Sequence, residues 1–492
     1  MNTPNLLFIF TDQQAAKTMK VYGNDLIHTP NMDRLASDSI VFKNAYVSQP
    51  VCTPSRGTIM TGLYPHSHGC IENNMHLNKD ILCLPELCNF EEYNTAYYGK
   101  WHLGDEIFTQ HGFKDWKSIE DGYREYYSVE RDKSTHSSYY EFLVKNGFTP
   151  DKKMNDGFKY FSRGYSASFP EEFSKPVFLA NEASQFIKEN KNNPFILYVN
   201  FLEPHTPYHG PRDNQYDLDK ISLPENFYSD NERDIPFKIR LFQKRVYNKG
   251  ASGLPAKTED DFKRIIANYW GSISLVDSAL GKILDTLGES GIDSNTIIVY
   301  TSDHGDMMGS HKLLTKCVMY NEAVKVPLLL KIPDINCSKK VVENPVSQVD
   351  LIPTLVEAMG KPVPGNLDGF SWIPFLEGKS HLQEENVFIE WNGRDCGYKN
   401  IISDSKIPDI WKEDASTDEI ITAISDPVRT IITPDMWKYN HSAIGEDELY
   451  NLKSDPYEMN SLATDPKYSI LVGELKNKIY SWQQRTNDIT GL

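Results

Sequence analysis

The sequence predicts an α/β fold in which a parallel or mixed sheet lies between helices. Short, continuously apolar segments alternate with segments of helical periodicity, and charged residues follow directly after several of the apolar segments. Strands that are apolar along their whole length are typical of sheets covered by helices on both faces. The predicted strands are residues 5–11, 40–47, 95–99, 195–201, 296–301 and 326–332.

The predicted helices have recognisable starts and periods. Thr29 followed by Pro30 is typical of an N-cap and a first helical position, and predicts a helix to residue 37. Apolar residues at helical spacing predict further helices at 259–288 and 351–359. The stretch at about 105–175 is aromatic-rich and weakly periodic, so we expect an insertion over the active-site face. A second insertion-like stretch covers residues 206–257.

The last quarter of the chain has a different pattern. Short apolar segments at 387–391, 428–433 and 436–439 precede a helical pattern at 466–484. This succession predicts a smaller α+β domain. We therefore expect a catalytic domain at 1–375 and a C-terminal subdomain at 376–492.

Charge and composition exclude several classes of function. The 492 residues include 51 Lys and Arg against 68 Asp and Glu, a net charge of −17. An acidic surface repels phosphate backbones and anionic membranes, so we expect neither partner. No apolar segment approaches the roughly 18 residues of a membrane-spanning helix. The N-terminus lacks the features of a signal peptide, which leaves two alternatives: a cytoplasmic protein, or a periplasmic or secreted one whose signal has been removed.

The seven cysteines are spread too thinly for a disulfide framework, and none forms a C-x-x-C pair. Cys52 stands out because Pro54 predicts a helix that starts beside it. The positive end of that helix, together with Arg56, would stabilise an anion. Taken alone, Cys52 also fits a structural or merely reactive cysteine.

Ionisable residues cluster where four predicted strands end. In sheets of this kind the ligand lies beyond the carboxyl ends of the strands. Carboxylate and amide oxygens there suit Ca²⁺ or Mg²⁺, although a single Asp is more often a cap or loop residue. Lys100 and His102 have the i, i+2 spacing that directs both side chains to one face. The clusters are Asp12-Gln13, Gly99-Lys100-Trp101-His102, Glu203-Pro204-His205 and Ser302-Asp303-His304.

Motifs along nearly the whole chain resemble those of the formylglycine-dependent sulfatases. CTPSRGTIMTG (52–62) resembles the sulfatase signature C-x-P-S-R-x-x-x-L-T-G. The other matching segments occur in family order. They are TPNMDRLA (29–36), GKWHLG (99–104), EPHTPY (203–208), TSDHGD (301–306) and ELYNLKSDPYE (448–458).

The resemblance implies a large alkaline-phosphatase-like domain with a mixed central sheet, and a smaller C-terminal domain with an antiparallel sheet. It implies that a formylglycine-generating enzyme oxidises Cys52 to an aldehyde. One hydroxyl of the hydrated aldehyde would attack sulfur as the alcohol leaves, and the other would then expel sulfate.

The resemblance also implies roles for individual residues. Arg56 would hold the hydrate and the carboxylates. Lys100 and Lys316 would clamp sulfate, with His311 and Lys312 as neighbouring alternatives to Lys316. His102 would assist release of sulfate, and His205 would donate a proton to the leaving alcohol.

The implied metal ligands depart from a common family pattern. Many sulfatases have consecutive aspartates at the first pair and Asn at the last, where this chain has Asp-Gln and Asp-His. The implied ligands are therefore two carboxylates, one amide and one imidazole, for which Ca²⁺ is the first expectation and Mn²⁺ or Mg²⁺ the alternatives. These ligands are Asp12, Gln13, Asp303 and His304.

These residues are compatible with three functions. The first is hydrolysis of a sulfate ester on a sulfated saccharide. The second uses the same apparatus on choline sulfate or on phosphonate or phosphate esters. The third is a non-catalytic glycan-binding protein on a decayed sulfatase scaffold. It predicts the loss of Cys52, of a sulfate-clamping lysine or of a metal-binding aspartate, and all of these residues are present. The lack of a glycine-rich phosphate loop after a strand argues against a nicotinamide or ATP enzyme.

Overall fold

A computed structural model describes residues 3–87, 91–228, 235–337, 340–382, 385–393 and 407–492. The strands are β1 (Asn5–Asp12), β2 (Ile40–Tyr46), β3 (Asn94–Gly99), β4 (Asp115–Ser118), β5 (Lys152–Lys153), β6 (Lys159–Tyr160), β7 (Phe195–Pro204), β8 (Thr296–Ser302), β9 (Lys325–Val326), β10 (Leu329–Lys331), β11 (Val341–Ser347), β12 (Val387–Asn392), β13 (Pro427–Ile432), β14 (Trp437–Ser442) and β15 (Glu448–Asn451). The helices are α1 (Pro30–Asp38), α2 (Cys52–Thr61), α3 (Pro65–His68), α4 (Leu84–Leu87), α5 (Ser138–Lys145), α6 (Arg163–Ser166), α7 (Lys175–Asn190), α8 (Phe237–Lys249), α9 (Glu259–Glu289), α10 (Asn321–Val324), α11 (Leu351–Ala358), α12 (Ile373–Leu376), α13 (Asp409–Lys412), α14 (Thr417–Ser425) and α15 (Ser469–Thr486).

The large sheet is mixed, which confirms the predicted fold class. Its order is β11-β2-β10-β8-β1-β7-β3-β4, and β9 pairs with β2 beside that path. Within the path β10 runs antiparallel to both of its neighbours, and the other pairs are parallel. β1 lies between β8 and β7 and is buried at every position. The carboxyl end of β1 therefore lies in the middle of the row of strand ends that forms the carboxyl edge of the sheet.

Helices cover both faces of this sheet. Alternate residues of β1 enter two separate cores, with Leu6 and Phe8 in one and Leu7 and Ile9 in the other. Burying each such side chain stabilises the fold by about 1.5–3 kcal/mol. α9 lies in the second core against α1 and α7. Its N-terminus is fixed by a capping box in which Thr258 and Asp261 satisfy each other's backbone N–H groups.

The C-terminal sheet has the order β12-β13-β14-β15 and is antiparallel throughout, as the family resemblance implies. α15 packs against β13 and β14. Trp391 of β12 and Phe42 of β2 belong to one continuous core, which joins the two sheets. The boundary near residue 375 stays a prediction.

Several elements differ from the sequence prediction. The strand expected at 326–332 is two short strands, β9 and β10, with Pro327 between them; proline has no N–H to give to a sheet. Residues 115–118, inside the predicted insertion, form β4 and pair with β3 at the sheet edge. Among the described helices, none combines the length and apolarity needed to cross a membrane.

Candidate active site

The predicted site residues meet at the carboxyl edge of the large sheet. β8, β1, β7 and β3 are parallel neighbours, so the segments that follow them lie side by side. Asp12 ends β1, Lys100 follows β3, His205 follows β7 and Asp303 follows β8. α2 begins against this edge and adds Cys52 and Arg56, both buried. A cavity of about 410 Å³ opens beside Gln13, His205 and Lys316.

Cys52 is the first residue of α2, and its sulfur lies between cations and metal-type ligands. Its Sγ is 2.8 Å from Lys316 Nζ, 3.3 Å from His304 Nε2 and 3.8 Å from Asp12 Oδ1. Burial, and to a lesser degree Asp12, raise the pKa of Cys52, but Lys100, Lys316 and His304 outweigh them and lower it to about 7. The site thus stabilises negative charge at this position.

Arg56 joins the two aspartates of the site. Its Nη2 and Nε each lie 2.9 Å from an aspartate oxygen, Oδ2 of Asp12 and Oδ2 of Asp303. Nη1 donates to the carbonyl of Lys100 and to Asn200 Oδ1. Because Arg56 takes one oxygen from each aspartate, the two Oδ1 atoms remain directed towards Cys52 and His304.

These ligand atoms fit a divalent cation. The ligand atoms of Asp12, Cys52, Asp303 and His304 all lie within 4.8 Å of one another, and all four residues are buried. Two carboxylates supply the negative charge that a buried cation needs. The Lys316 ammonium lies 3.0 Å from His304 Nε2, so the cluster already accommodates one positive charge.

Gln13 directs its amide oxygen towards this cluster. Its Nε2 donates to Asp306 Oδ2 at 2.5 Å and to the Tyr208 hydroxyl at 3.0 Å. Asp306 is an acceptor, which assigns the NH₂ group to that side of the amide. The oxygen then faces Lys316 Nζ at 3.0 Å, beside Cys52.

Two lysines, the buried Lys100 and the half-buried Lys316, flank the position of the nucleophile. Lys100 Nζ lies 2.6 Å from Asp12 Oδ2 and 3.9 Å from Cys52 Sγ. Burial lowers the pKa of both Lys100 and Lys316, but Asp12 and Cys52 more than offset it and the pKa of each is raised. Both side chains therefore stay cationic and can bind a compact anion.

Both predicted catalytic histidines have a pKa well below the ordinary value. Burial and then Lys100 lower the pKa of His102. Burial lowers that of His205, and Lys316 and Lys100 add to this effect against the opposing charge of Asp12. His102 Nε2 lies 2.9 Å from Asn74 Oδ1, and its buried Nδ1 makes no hydrogen bond within the described residues. His205 Nδ1 lies 2.7 Å from the Thr206 carbonyl.

Several residues at the site escaped the sequence analysis. Asn74 and Tyr123 hold the His102 ring, Tyr123 with its ring centre 4.5 Å away. Arg163 donates to the Tyr123 hydroxyl at 2.6 Å, so part of the aromatic-rich stretch supports the site. Tyr208 and Asp306 end the motifs EPHTPY and TSDHGD, so the sequence could have indicated both. Asn74 and Tyr123 lie in none of the segments that resemble the family.

The chain is similar to known proteins both in sequence and in fold. The sequence model of the family described as Sulfatase matches residues 4–361. A protein named sulfatase from Formosa agariphila is 30% identical, over 97% of this chain and 86% of its own length. The N-acetylglucosamine-6-O-sulfatase of Bacteroides thetaiotaomicron is 27% identical, over 99% of this chain and 87% of its own. A phosphonate monoester hydrolase from Silicibacter pomeroyi has the same fold, with a TM-score of 0.78 at 21% identity over 99% of this chain and 96% of that chain.

Proposed function

We propose that the substrate of this chain is a sulfated saccharide and that its nucleophile is Cys52 in the formylglycine form. The chain belongs to the sulfatase family and is a sulfuric ester hydrolase. One observation carries the second part. Cys52 Sγ lies between the Lys316 ammonium and the carboxylates of the ligand cluster, so it combines the positions of an anion site and a metal site. The saccharide is supported by the relative named as an N-acetylglucosamine-6-O-sulfatase.

The family generally uses a metal, and Asp12, Gln13, Asp303 and His304 are the residues that would hold it here. A divalent cation supplies positive charge to a sulfate oxygen and lowers the pKa of a bound hydroxyl. Hard oxygen ligands from Asp12, Gln13 and Asp303 favour Ca²⁺, while the imidazole of His304 leaves Mn²⁺ or Mg²⁺ as alternatives.

The lysines and Arg56 have separate roles in this proposal. Lys100 and Lys316 bind the non-bridging sulfate oxygens and neutralise charge in the transition state. Arg56 does not need to touch sulfate. It fixes the orientation of Asp12 and Asp303, so that one oxygen of each faces the cluster.

The histidines move protons at defined atoms. His205 commits Nδ1 to the Thr206 carbonyl, so proton donation to the leaving alcohol must come from Nε2 of a protonated ring. His102 directs Nε2–H to Asn74, which leaves the lone pair of Nδ1 to accept a proton. The two rings are thus arranged for opposite directions of proton transfer.

The substrate is tested by ion chromatography of released sulfate and phosphonate. The enzyme is co-produced with a formylglycine-generating enzyme and offered sulfated mono- and oligosaccharides of defined position, choline sulfate and a phosphonate ester. We expect sulfate from one class of saccharide and none from Cys52→Ala enzyme. Release only from choline sulfate or the phosphonate would keep the apparatus and overturn the saccharide.

The role of His205 is tested by comparing two leaving groups. An alcohol needs a proton as it leaves, and a phenol with a low pKa does not. His205→Ala should therefore lower kcat for a saccharide sulfate by about 10²–10⁴-fold and kcat for an aryl sulfate far less. An equal loss for both substrates would show that His205 is not the proton donor.

A further inference from the structure

A second cluster of metal-type ligands lies around the short helix α4. It contains Cys83, Glu86 and His111, whose ligand atoms lie within 4.8 Å of one another. We propose that these three side chains bind one Zn²⁺ ion. The sequence contains no zinc pattern, because His111 lies 28 positions after Cys83 and no C-x-x-C pair is present.

The spacing of Glu86 and His111 fits two ligands of one ion better than a direct contact. His111 Nδ1 lies 3.5 Å from Glu86 Oε2. This is longer than the 2.7–3.2 Å of an N–H···O bond. Two ligands at about 2.0–2.1 Å from a tetrahedral zinc ion lie about 3.3 Å apart. The side chain of Glu86 is 27% exposed, and Cys83 Sγ lies within 4.8 Å of both ligand atoms.

Charge also favours a divalent cation at this cluster. A thiolate, a carboxylate and a neutral imidazole together carry the −2 charge that Zn²⁺ balances. Zinc binding displaces the thiol proton of Cys83 to solvent, and the cation then balances the thiolate charge. A sulfur and an imidazole ligand select Zn²⁺ over Ca²⁺.

The backbone holds the three ligands in place before any ion binds. Glu86 lies three residues after Cys83, and its Oε2 accepts the Cys83 N–H at 3.0 Å. The segment that carries His111 is pressed onto α4, because a Cβ on Gly112 would lie 2.7 Å from Glu86 Cγ. The His111 imidazole also packs against Trp101, with ring centres 5.7 Å apart. Such preorganisation lowers the entropy cost of binding.

The test measures Zn²⁺ binding by equilibrium dialysis in excess Ca²⁺, with Cys52→Ala as the parent protein so that Cys52 contributes no thiolate. We expect one Zn²⁺ per chain in the parent and at least about tenfold weaker binding in His111→Gln and Glu86→Gln. Cys337→Ser, at a half-buried cysteine outside the cluster, is the matched control and should bind like the parent. Circular dichroism checks that each variant is folded.

Co²⁺ gives a second readout that does not depend on affinity. A cobalt–thiolate charge-transfer band should appear in the parent and be absent from Cys83→Ser. If Cys83→Ser fails to fold, the half-exposed Glu86→Gln still decides the question by its Zn²⁺ affinity. Parent protein that binds no Zn²⁺, or a His111→Gln variant that binds it as tightly as the parent, would overturn the proposal.

Discussion

Two buried arginines show how a catalytic ion pair differs from a structural one. In the C-terminal sheet, Arg429 makes two parallel hydrogen bonds to a single carboxylate, from Nε to Asp488 Oδ2 at 2.7 Å and from Nη2 to Asp488 Oδ1 at 3.1 Å. At the catalytic edge, Arg56 takes one oxygen from each of two carboxylates, Asp12 and Asp303. Both guanidinium groups are fully buried.

The two arginines differ in how many carboxylate oxygens they leave without a bond to the guanidinium group. Arg429 uses both oxygens of Asp488 and also lies 3.9 Å from Oε2 of the buried Glu390, whose other oxygen contacts His66. At the catalytic edge Arg56 and Lys100 engage Oδ2 of Asp12, and Arg56 also engages Oδ2 of Asp303. Oδ1 of each aspartate still faces His304. A buried site with surplus ligand atoms is built to receive a further charged group, whereas a saturated pair is built to hold the fold.

The largest expected effect is at Cys52. Cys52→Ala should lower turnover by at least about 10³-fold, because it removes the proposed nucleophile. The free energy of unfolding should change little, because Arg56 still bonds Asp12 and Asp303 in this variant. Turnover is measured by sulfate release and stability by urea unfolding. Wild-type turnover in this variant would refute the mechanism.

The two arginines form a matched pair for the next test. Lys lacks the planar fork that both contacts use. Arg56→Lys should lower kcat by about 10²–10³-fold because the two aspartates lose their orientation. Arg429→Lys should instead lower the free energy of unfolding, by up to about 3–5 kcal/mol, which is the cost of breaking a buried ion pair. The kcat of the folded enzyme should not change. A loss of stability alone in Arg56→Lys, together with a loss of kcat in Arg429→Lys, would show that the two arginines have the opposite roles.

The Arg429 pair also predicts a pH dependence of stability. Burial raises the pKa of Asp488, but its bonds to Arg429 outweigh this and hold the pKa below the ordinary value. The stabilisation is present above the unfolded pKa of about 3.9 and is lost as pH falls through the folded value. Arg429→Lys should flatten this acid limb in urea unfolding.

Sequence reasoning succeeded where the signal is local. β1, β7 and β8 are continuously apolar, and the charged residues that follow them are adjacent along the chain. The parallel topology then brings those segments together. Asp12 and Asp303 could therefore be placed at one edge from the sequence alone.

The missed features depend on contacts between distant segments. β4 has the polar sequence DWKS, and only its pairing with β3 makes it a strand. Asn74 meets His102 across 28 positions of sequence, and no spacing rule links them. The amide orientation of Gln13 likewise depends on Asp306, 293 positions away.

Two buried lysines allow a smaller effect to be resolved. Lys100→Ala should raise the inhibition constant of inorganic sulfate by about 10–100-fold, the loss expected for a charged hydrogen bond. Lys438 lies 2.6 Å from Glu458 in the C-terminal region and is equally buried, so Lys438→Ala should affect stability alone. If sulfate inhibited Lys100→Ala as strongly as wild type, the clamp assignment would be wrong.

The smallest expected effect concerns Tyr208, whose hydroxyl forms hydrogen bonds with Gln13 and Asp306 at the site. Its hydroxyl helps to keep the amide oxygen of Gln13 directed at the cluster, while Asp306 retains one of the two restraints. Tyr208→Phe should therefore weaken metal affinity by about tenfold, as for other groups that orient a ligand.

Calorimetric titration with Ca²⁺ measures that affinity directly, and turnover at saturating Ca²⁺ should be close to that of the wild type. Tyr450→Phe is the matched control, because its hydroxyl contacts the buried carboxylate of Glu448 at 2.7 Å in the C-terminal sheet. That variant should lose stability and keep its metal affinity. Unchanged Ca²⁺ affinity in Tyr208→Phe would mean that Asp306 alone orients Gln13, and that the hydroxyl serves the fold as Tyr450 does.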